Sequence, residues 1–153
     1  ADYQTAYRSA VGMLLWLAGQ TQADLSFATS KAARRSGRAT VEDAIEVNQI
    51  IAQARLHRTS GLVFWRGIGG LGPDVSILSW ADASCANVEG VRSQCGHITS
   101  LTSSPRLYSE GRFDTGCVIL WQSATVKRVV RSTLAAEAYG ISEGIETAHR
   151  SAM

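Results

Sequence analysis

The segment GIGGLGP at residues 67–73 divides this sequence of 153 residues into two parts with different patterns. Four glycines and one proline in seven positions disfavour both helix and strand, so the segment predicts a linker. Before it, apolar residues recur every three or four positions, as in helices; after it, short β-forming runs prevail. The sequence therefore predicts an α+β fold with a helical region at 1–66, a linker at 67–74 and a second domain at 75–153.

The helical region shows its clearest helix start at Thr40. Thr40 and Asp43 have the spacing of a capping box, in which each side chain bonds to the backbone N–H of the other residue. In the first helix, Tyr7, Val11, Leu14 and Ala18 share one stripe, which predicts its buried face. We expect helices over residues 6–19, 23–35 and 41–56, followed by a short strand at 62–65.

The second domain begins with runs rich in β-branched and aromatic residues and ends with a long helical pattern. A polar stretch at 103–115 contains Pro105 and Gly111, which predicts a loop between strands. The order predicts three antiparallel strands packed by one helix. We expect the strands at residues 75–81, 95–102 and 117–121 and the helix at 133–150.

Composition excludes several classes of protein. The net charge of +2 permits contact with nucleic acid without requiring it. Cys85, Cys95 and Cys117 are odd in number and form no CxxC pair, which argues against a disulfide framework and a zinc site and favours reduced thiols in an intracellular compartment. The longest apolar run, residues 11–18, is too short to cross a membrane, so no membrane span is expected.

Two carboxylates are candidates for a metal site. Asp82 is predicted to end the first strand, and Glu137 lies in the final helix. Glu137 falls about 60° from the centre of an apolar stripe that we expect to face the sheet, whereas Glu143 falls opposite it. The alternative is that Asp82 caps a turn and Glu137 is a solvated charge. The stripe consists of Leu134, Ala138, Ile141, Ile145 and Ala148.

An ordered series of short motifs resembles a known family. In the first half, YRSAVGMLLWLA (7–18) and TQADLSFA (21–28) resemble YRS-x-VG-x-L-x-YLA and TRPDI-x-FA. In the second half, WADAS (80–84), RSQCGH (92–97), ILWQS (119–123) and STLAAEAY (132–139) resemble YSDAD, RRSTSGY, ISW-x-S and SSTEAEY. In this order the motifs resemble the Pol polyprotein of Ty/copia-type retrotransposons, from the end of the reverse transcriptase into the first part of the ribonuclease H domain.

The resemblance implies a partial ribonuclease H-like unit whose ancestor hydrolysed RNA in RNA–DNA hybrids with Mg²⁺. Asp82 matches the family's first catalytic carboxylate and Glu137 the second, so both are implied metal ligands. Ser84 stands where the family has another acid, and the strand that carries the third aspartate would follow the final helix. With two of four ligand positions present, we expect little or no activity from this chain.

Two groups of basic residues are candidates for nucleic-acid binding, with an RNA–DNA hybrid as the implied partner. The group at residues 31–35 could follow a phosphate backbone or only complement the C-terminus of a helix. The group at residues 127–131 could hold a duplex or lie in a solvated loop. The groups are Lys31, Arg34 and Arg35, and Lys127, Arg128 and Arg131.

A non-catalytic role is the alternative function. A unit of three strands and a helix leaves an open sheet edge, which is a ready surface for another protein chain. A retroelement fragment of this kind could have been recruited as a structural or interaction subunit of a larger assembly.

Overall fold

The computed structural model describes residues 2–65, 75–88, 92–103, 116–127, 130 and 132–153. The chain forms two compact units, Ala1–Gly61 and Leu62–Met153, and its fold class is α+β as predicted. The predicted linker at 67–74 lies outside the described residues, as does nearly all of the predicted loop at 103–115.

The first unit is helical, and its α1 stripe is the predicted one. Tyr7, Val11, Leu14 and Ala18 are the buried residues of α1. The single helix predicted at 23–35 instead starts with a 3-10 turn. Asp24 in this turn accepts hydrogen bonds from Gln53 on α3 and from His57, which follows α3. The elements are α1 Tyr3–Gln20, the 3-10 turn Ala23–Leu25, α2 Ser26–Arg34 and α3 Val41–Leu56.

The predicted capping box at the start of α3 is confirmed. The backbone N–H of Asp43 donates to Thr40 Oγ1 at 3.3 Å, and the backbone N–H of Thr40 donates to Asp43 Oδ2 at 2.8 Å. This hydrogen bond from Thr40 is the largest influence holding the pKa of Asp43 below its ordinary value of 3.8. The folded state therefore favours the charged carboxylate.

We expect Thr40→Ala to lower the free energy of unfolding of the helical unit by about 1 kcal/mol, because it leaves the N–H of Asp43 without its cap. Thr40→Ser keeps the hydroxyl and serves as the control, with little loss. Since the folded pKa of Asp43 is depressed, its contribution is present above pH 3.8 and is lost as the pH falls below that value. Urea denaturation at pH 7 and at pH 3 measures both effects; equal losses for alanine and serine would contradict the capping role.

The second unit is a three-stranded antiparallel sheet with one helix. The strand order is β1-β2-β3, with β1 Ser76–Val88, β2 Arg92–Thr102 and β3 Cys117–Thr125. The helix α4, Thr133–Ala152, is capped by Ser132, whose hydroxyl accepts a hydrogen bond from the N–H of Ala135 at 3.1 Å. The three antiparallel strands and final helix of the prediction are confirmed.

One predicted strand is absent, and the sheet strands are longer than predicted, which affects the site through β1. Residues 62–65, where a short strand was predicted, lie outside any strand. The N–H of Trp65 donates to Cys117 Sγ at 3.2 Å, so this donor bonds to a side chain rather than to a neighbouring strand. β1 continues to Val88, past the predicted end at residue 81. Asp82 is consequently not at a strand end but within the ladder, opposite Gly96.

The face of α4 that packs on the sheet was also predicted wrongly. The buried residues of α4 are Ala136, Gly140, Gly144 and Thr147. The predicted stripe is instead largely exposed, with Leu134 at 80% and Ile145 at 64% relative exposure. The reason is steric, because β1 presents small side chains to α4 and the helix approaches closely only through its own smallest residues.

The opposite face of the sheet carries large apolar side chains. Trp80, Ile98 and Trp121 are direct cross-strand neighbours, so they form one row across the sheet. Trp80 and Ile98 are exposed and Trp121 is half-buried. In the described part of the chain, no helix combines the length and apolar character that crossing a membrane requires.

Candidate functional site

The direction of the Asp82 side chain follows from the contacts of its neighbours. A Cβ placed on Gly144 would lie 2.8 Å from Ala81 Cβ, and one on Gly140 would lie 3.2 Å from Ala83 Cβ. The side chains of Ala81 and Ala83 therefore point at α4. Because successive side chains of a strand point to opposite faces, Asp82 points to the face away from α4, where it is exposed.

Glu137 lies on α4, which covers the face of the sheet opposite to the Asp82 side chain. It lies one turn before Gly140, at the flank of the packed face of α4, and is half-buried. The Cα of Glu137 therefore lies on the α4 side of β1, whereas the side chain of Asp82 points to the opposite side. The structure places the two predicted metal ligands on opposite sides of one strand rather than together on one surface.

A two-metal nuclease site does not fit this arrangement. Two Mg²⁺ ions require several carboxylates that converge on one point, with the metals about 4 Å apart. Among the described residues, no three or more His, Cys, Asp or Glu side chains are placed to hold a metal ion. The described residues therefore do not fit a two-metal site.

A cavity of about 120 Å³ lies on the α4 side of the sheet. Glu143, predicted to point away from the sheet, lines this cavity, because the packed face of α4 differs from the predicted one. The sequence patterns single out neither His97 nor the cavity that it lines. The lining residues are Cys95, His97, Gln122, Ala124, Thr125 and Lys127 from the sheet side, and Tyr139 and Glu143 from α4.

Burial is the largest cause of the pKa shifts of His97 and Cys95 in this cavity. Burial lowers the pKa of His97, the Glu143 carboxylate opposes that shift, and the Arg150 charge adds to it. Burial raises the pKa of the Cys95 thiol, and Glu143 raises it further. These shifts favour the neutral imidazole of His97 and the protonated thiol of Cys95.

The cavity has the polar groups of a binding site but lacks an activated nucleophile. His97 is 5% exposed, and within the described part of the chain its Nε2 has no hydrogen-bond partner. Burial without a partner costs such a group about 1–3 kcal/mol. Cys95 is the nearest candidate nucleophile, but a thiol with a raised pKa is unreactive because the thiolate is the attacking species.

The predicted basic groups are largely engaged with acids or lie outside the described residues. Lys31 Nζ is 3.0 Å from Glu46 Oε2, and Arg35 Nε is 4.0 Å from Asp43 Oδ1. These contacts offset the positive charge of the first group. Its third member, Arg34, lies in the last turn of α2. In the second group, Lys127 is exposed at the cavity, whereas Arg128 and Arg131 are outside the described residues.

Comparison of the chain with protein-family models, with curated proteins and with solved structures gave no match. The likeness to Ty/copia-type retroelements therefore rests on the ordered motifs of the sequence.

Proposed function

We propose that this chain is a retrotransposon-derived reverse transcriptase–ribonuclease H fragment that does not hydrolyse RNA–DNA hybrids. The ordered motifs from residue 7 to residue 139 support the origin. Three antiparallel strands followed by a helix are in keeping with the first part of such a nuclease domain.

The alternation of side chains along β1 is the observation that supports the proposed absence of cleavage. Asp82 points away from α4, whereas Glu137 lies on α4 itself. One carboxylate on each side of a strand cannot hold the pair of cations that clamps the attacking and leaving oxygens. With the described residues alone, Asp82 would hold a Mg²⁺ ion by one protein ligand and by water, which is a weak site.

The test is incubation of a labelled RNA–DNA hybrid with the purified chain and Mg²⁺ or Mn²⁺. We expect no cleavage above background by the wild-type chain, and the same result for Asp82→Asn. Cleavage by the wild type that Asp82→Asn abolishes would contradict the proposal, because it would show that Asp82 acts in a complete metal site.

We further expect at most weak binding of a hybrid duplex, with an affinity that falls as salt is added. Each phosphate contact adds about −0.9 to the slope of log K against log salt. Lys127→Ala should make that slope less negative by about 0.9, since Lys127 is exposed. Lys31→Ala is the matched control and should leave the slope unchanged, because Lys31 pairs with Glu46. The opposite ranking would place binding on the helical unit.

A non-catalytic subunit is the second candidate, and the edge of β1 favours it. The 13 residues of β1 pair with β2 and, within the described residues, with no other strand. Natural edge strands are commonly protected by lysine or proline, and β1 contains neither. Native mass spectrometry of the endogenous protein, with amide exchange across 76–88, tests this role. A stoichiometric partner that slows exchange there supports it, and a protein isolated without a partner contradicts it.

A further inference from the structure

The cavity beside α4 has a floor whose side chains are directed by the register of the sheet. Cys95 pairs with Ala83 and His97 pairs with Ala81, and both alanines face α4. Directly paired residues of an antiparallel sheet point to the same face, so the thiol and the imidazole also point to the α4 side. Both side chains are buried and line the cavity. The sheet thus gives the cavity a floor with polar groups.

Two side chains of opposite charge also line this cavity. Glu143 of α4 is half-buried, and its carboxylate is close enough to raise the pKa of both Cys95 and His97. Lys127, which follows β3, is exposed and contributes to neither shift. The negative charge therefore lies near the floor of the cavity, and the positive charge lies further towards solvent.

The charges of Lys127 and Glu143 do not neutralise each other by direct contact. All ion pairs found among the described residues lie in the helical unit, and none includes either side chain. The ammonium and the carboxylate are thus separated, with the cavity between the elements that carry them. A ligand with one charge of each sign can contact both groups at once.

The imidazole of His97 adds a polar group that lacks a partner. It is 5% exposed, and its Nε2 has no hydrogen-bond partner in the described part of the chain. A neutral imidazole has one nitrogen that accepts a hydrogen bond and one that donates. A ligand with several N–H donors beside Glu143 would be placed to supply a hydrogen bond to this ring.

The volume of the cavity limits the size of its ligand. At about 120 Å³ it has room for about four water molecules of about 30 Å³ each. A nucleotide or a peptide segment is too large to be enclosed there. A molecule of that volume that carries an ammonium and a carboxylate group is an α-amino acid with a small side chain.

We propose that this cavity binds a small α-amino acid in its zwitterionic form, with the ammonium group at Glu143 and the carboxylate at Lys127. An anion alone would gain from Lys127 but would be repelled by Glu143, and a cation alone would meet the reverse. The proposal goes beyond the proposed function, because neither Asp82 nor Glu137 lines the cavity. Lys127 is shared with the expected duplex contact, so binding is measured without nucleic acid.

Titration of the isotope-labelled full chain with glycine, followed by two-dimensional NMR, tests the proposal. We expect saturable shifts of the amide signals of residues 95–97 and 139–143, with a Kd on the order of 10 mM because the ligand has few atoms. Two probes of the same size each carry one charge: glycinamide lacks the carboxylate, and glycolate has a hydroxyl in place of the ammonium. Each should bind about 10-fold more weakly than glycine, because one charge-assisted hydrogen bond is lost.

Three variants test the contacts. Glu143→Gln keeps the shape of the side chain without its charge and should weaken glycine binding about 10-fold. Lys127→Gln should weaken it only about threefold, since an exposed charge is screened by solvent. Ala124→Leu keeps both charges but fills the cavity and should abolish binding. Glu146→Gln is the matched control: Glu146 is exposed on the same helix but does not line the cavity, so binding should be unchanged.

Thermal unfolding of each variant equal to that of the wild type would show that the fold is intact. The absence of saturable shifts up to about 100 mM glycine would overturn the proposal. Binding of glycolate or glycinamide as tight as that of glycine would also overturn it, because the cavity would then be a site for a single charge. A folded Glu143→Gln variant that binds glycine like the wild type would overturn the assigned orientation and the proposal with it.

Discussion

Gly144→Val should lower the free energy of unfolding of the sheet-containing unit by about 3 kcal/mol. Even the first added carbon would lie 2.8 Å from Ala81 Cβ and 3.6 Å from Ser79 Oγ. Both neighbours belong to β1, so neither a side-chain rotation of Ala81 nor a small shift of the helix relieves the contact. α4 must move off the sheet, and its buried face loses contact. Chemical denaturation followed by circular dichroism measures the change.

Two control variants separate this steric effect from helix propensity. Gly140→Ala meets Ala83 Cβ at 3.2 Å and should cost less than Gly144→Ala, whose contact is closer. Gly12→Ala in α1 meets nothing within 4 Å and should stabilise the helical unit by about 0.5–1 kcal/mol, because alanine is the better helix former. If Gly144→Ala stabilised the chain as Gly12→Ala does, the close packing of α4 on β1 would be disproved.

Tyr7→Ala should destabilise the helical unit by about 4 kcal/mol, because it removes a large buried ring from the core. Tyr7 is buried, and its hydroxyl donates a hydrogen bond to the Ala32 carbonyl at 2.9 Å. Tyr7→Phe keeps the ring and should cost about 1–2 kcal/mol, since the Ala32 carbonyl loses its donor. Tyr3→Phe is the control: Tyr3 donates to the Thr40 carbonyl but is exposed, so water replaces the lost donor.

Tyr7 also makes the stability of the helical unit depend on pH in the alkaline range. Burial raises the pKa of Tyr7 above its ordinary value of 10.0, and the Asp43 and Glu46 carboxylates raise it further. The unfolded chain therefore loses this proton first. The contribution of Tyr7 is fully present below pH 10.0 and falls as the pH rises above it. Urea denaturation at pH 9 and pH 11 should show a smaller alkaline loss in Tyr7→Phe; an identical loss would contradict the assignment.

The local sequence was sufficient to predict much of the helical unit. Helix α1 buries Tyr7 and its three predicted stripe partners, and the capping box of α3 forms as its spacing predicted. Both features depend on residues within a few positions of each other. Their outcome is therefore set by helix geometry and hydrogen bonding that the sequence shows directly.

The candidate metal site could not be predicted in the same way. The placement of Asp82 depends on how far β1 extends and on which of its faces α4 covers, and both are decided by residues far away in the chain. Asp82 pairs with Gly96, and its neighbour Ala81 meets Gly144. No local pattern around Asp82 contains that information.

The order of the helices and strands, the capping of α3 and the buried stripe of α1 follow from the chain itself, since each arises from neighbours in sequence. The tertiary structure alone decided which face of α4 packs on the sheet. The periodicity of α4 marks its largest apolar residues, but Ala81 and Ala83 admit a helix only where it presents Gly140 and Gly144. This steric selection turns Glu143 into the cavity, places Glu137 and Asp82 on opposite sides of β1, and leaves Leu134, Ile141 and Ile145 of α4 exposed.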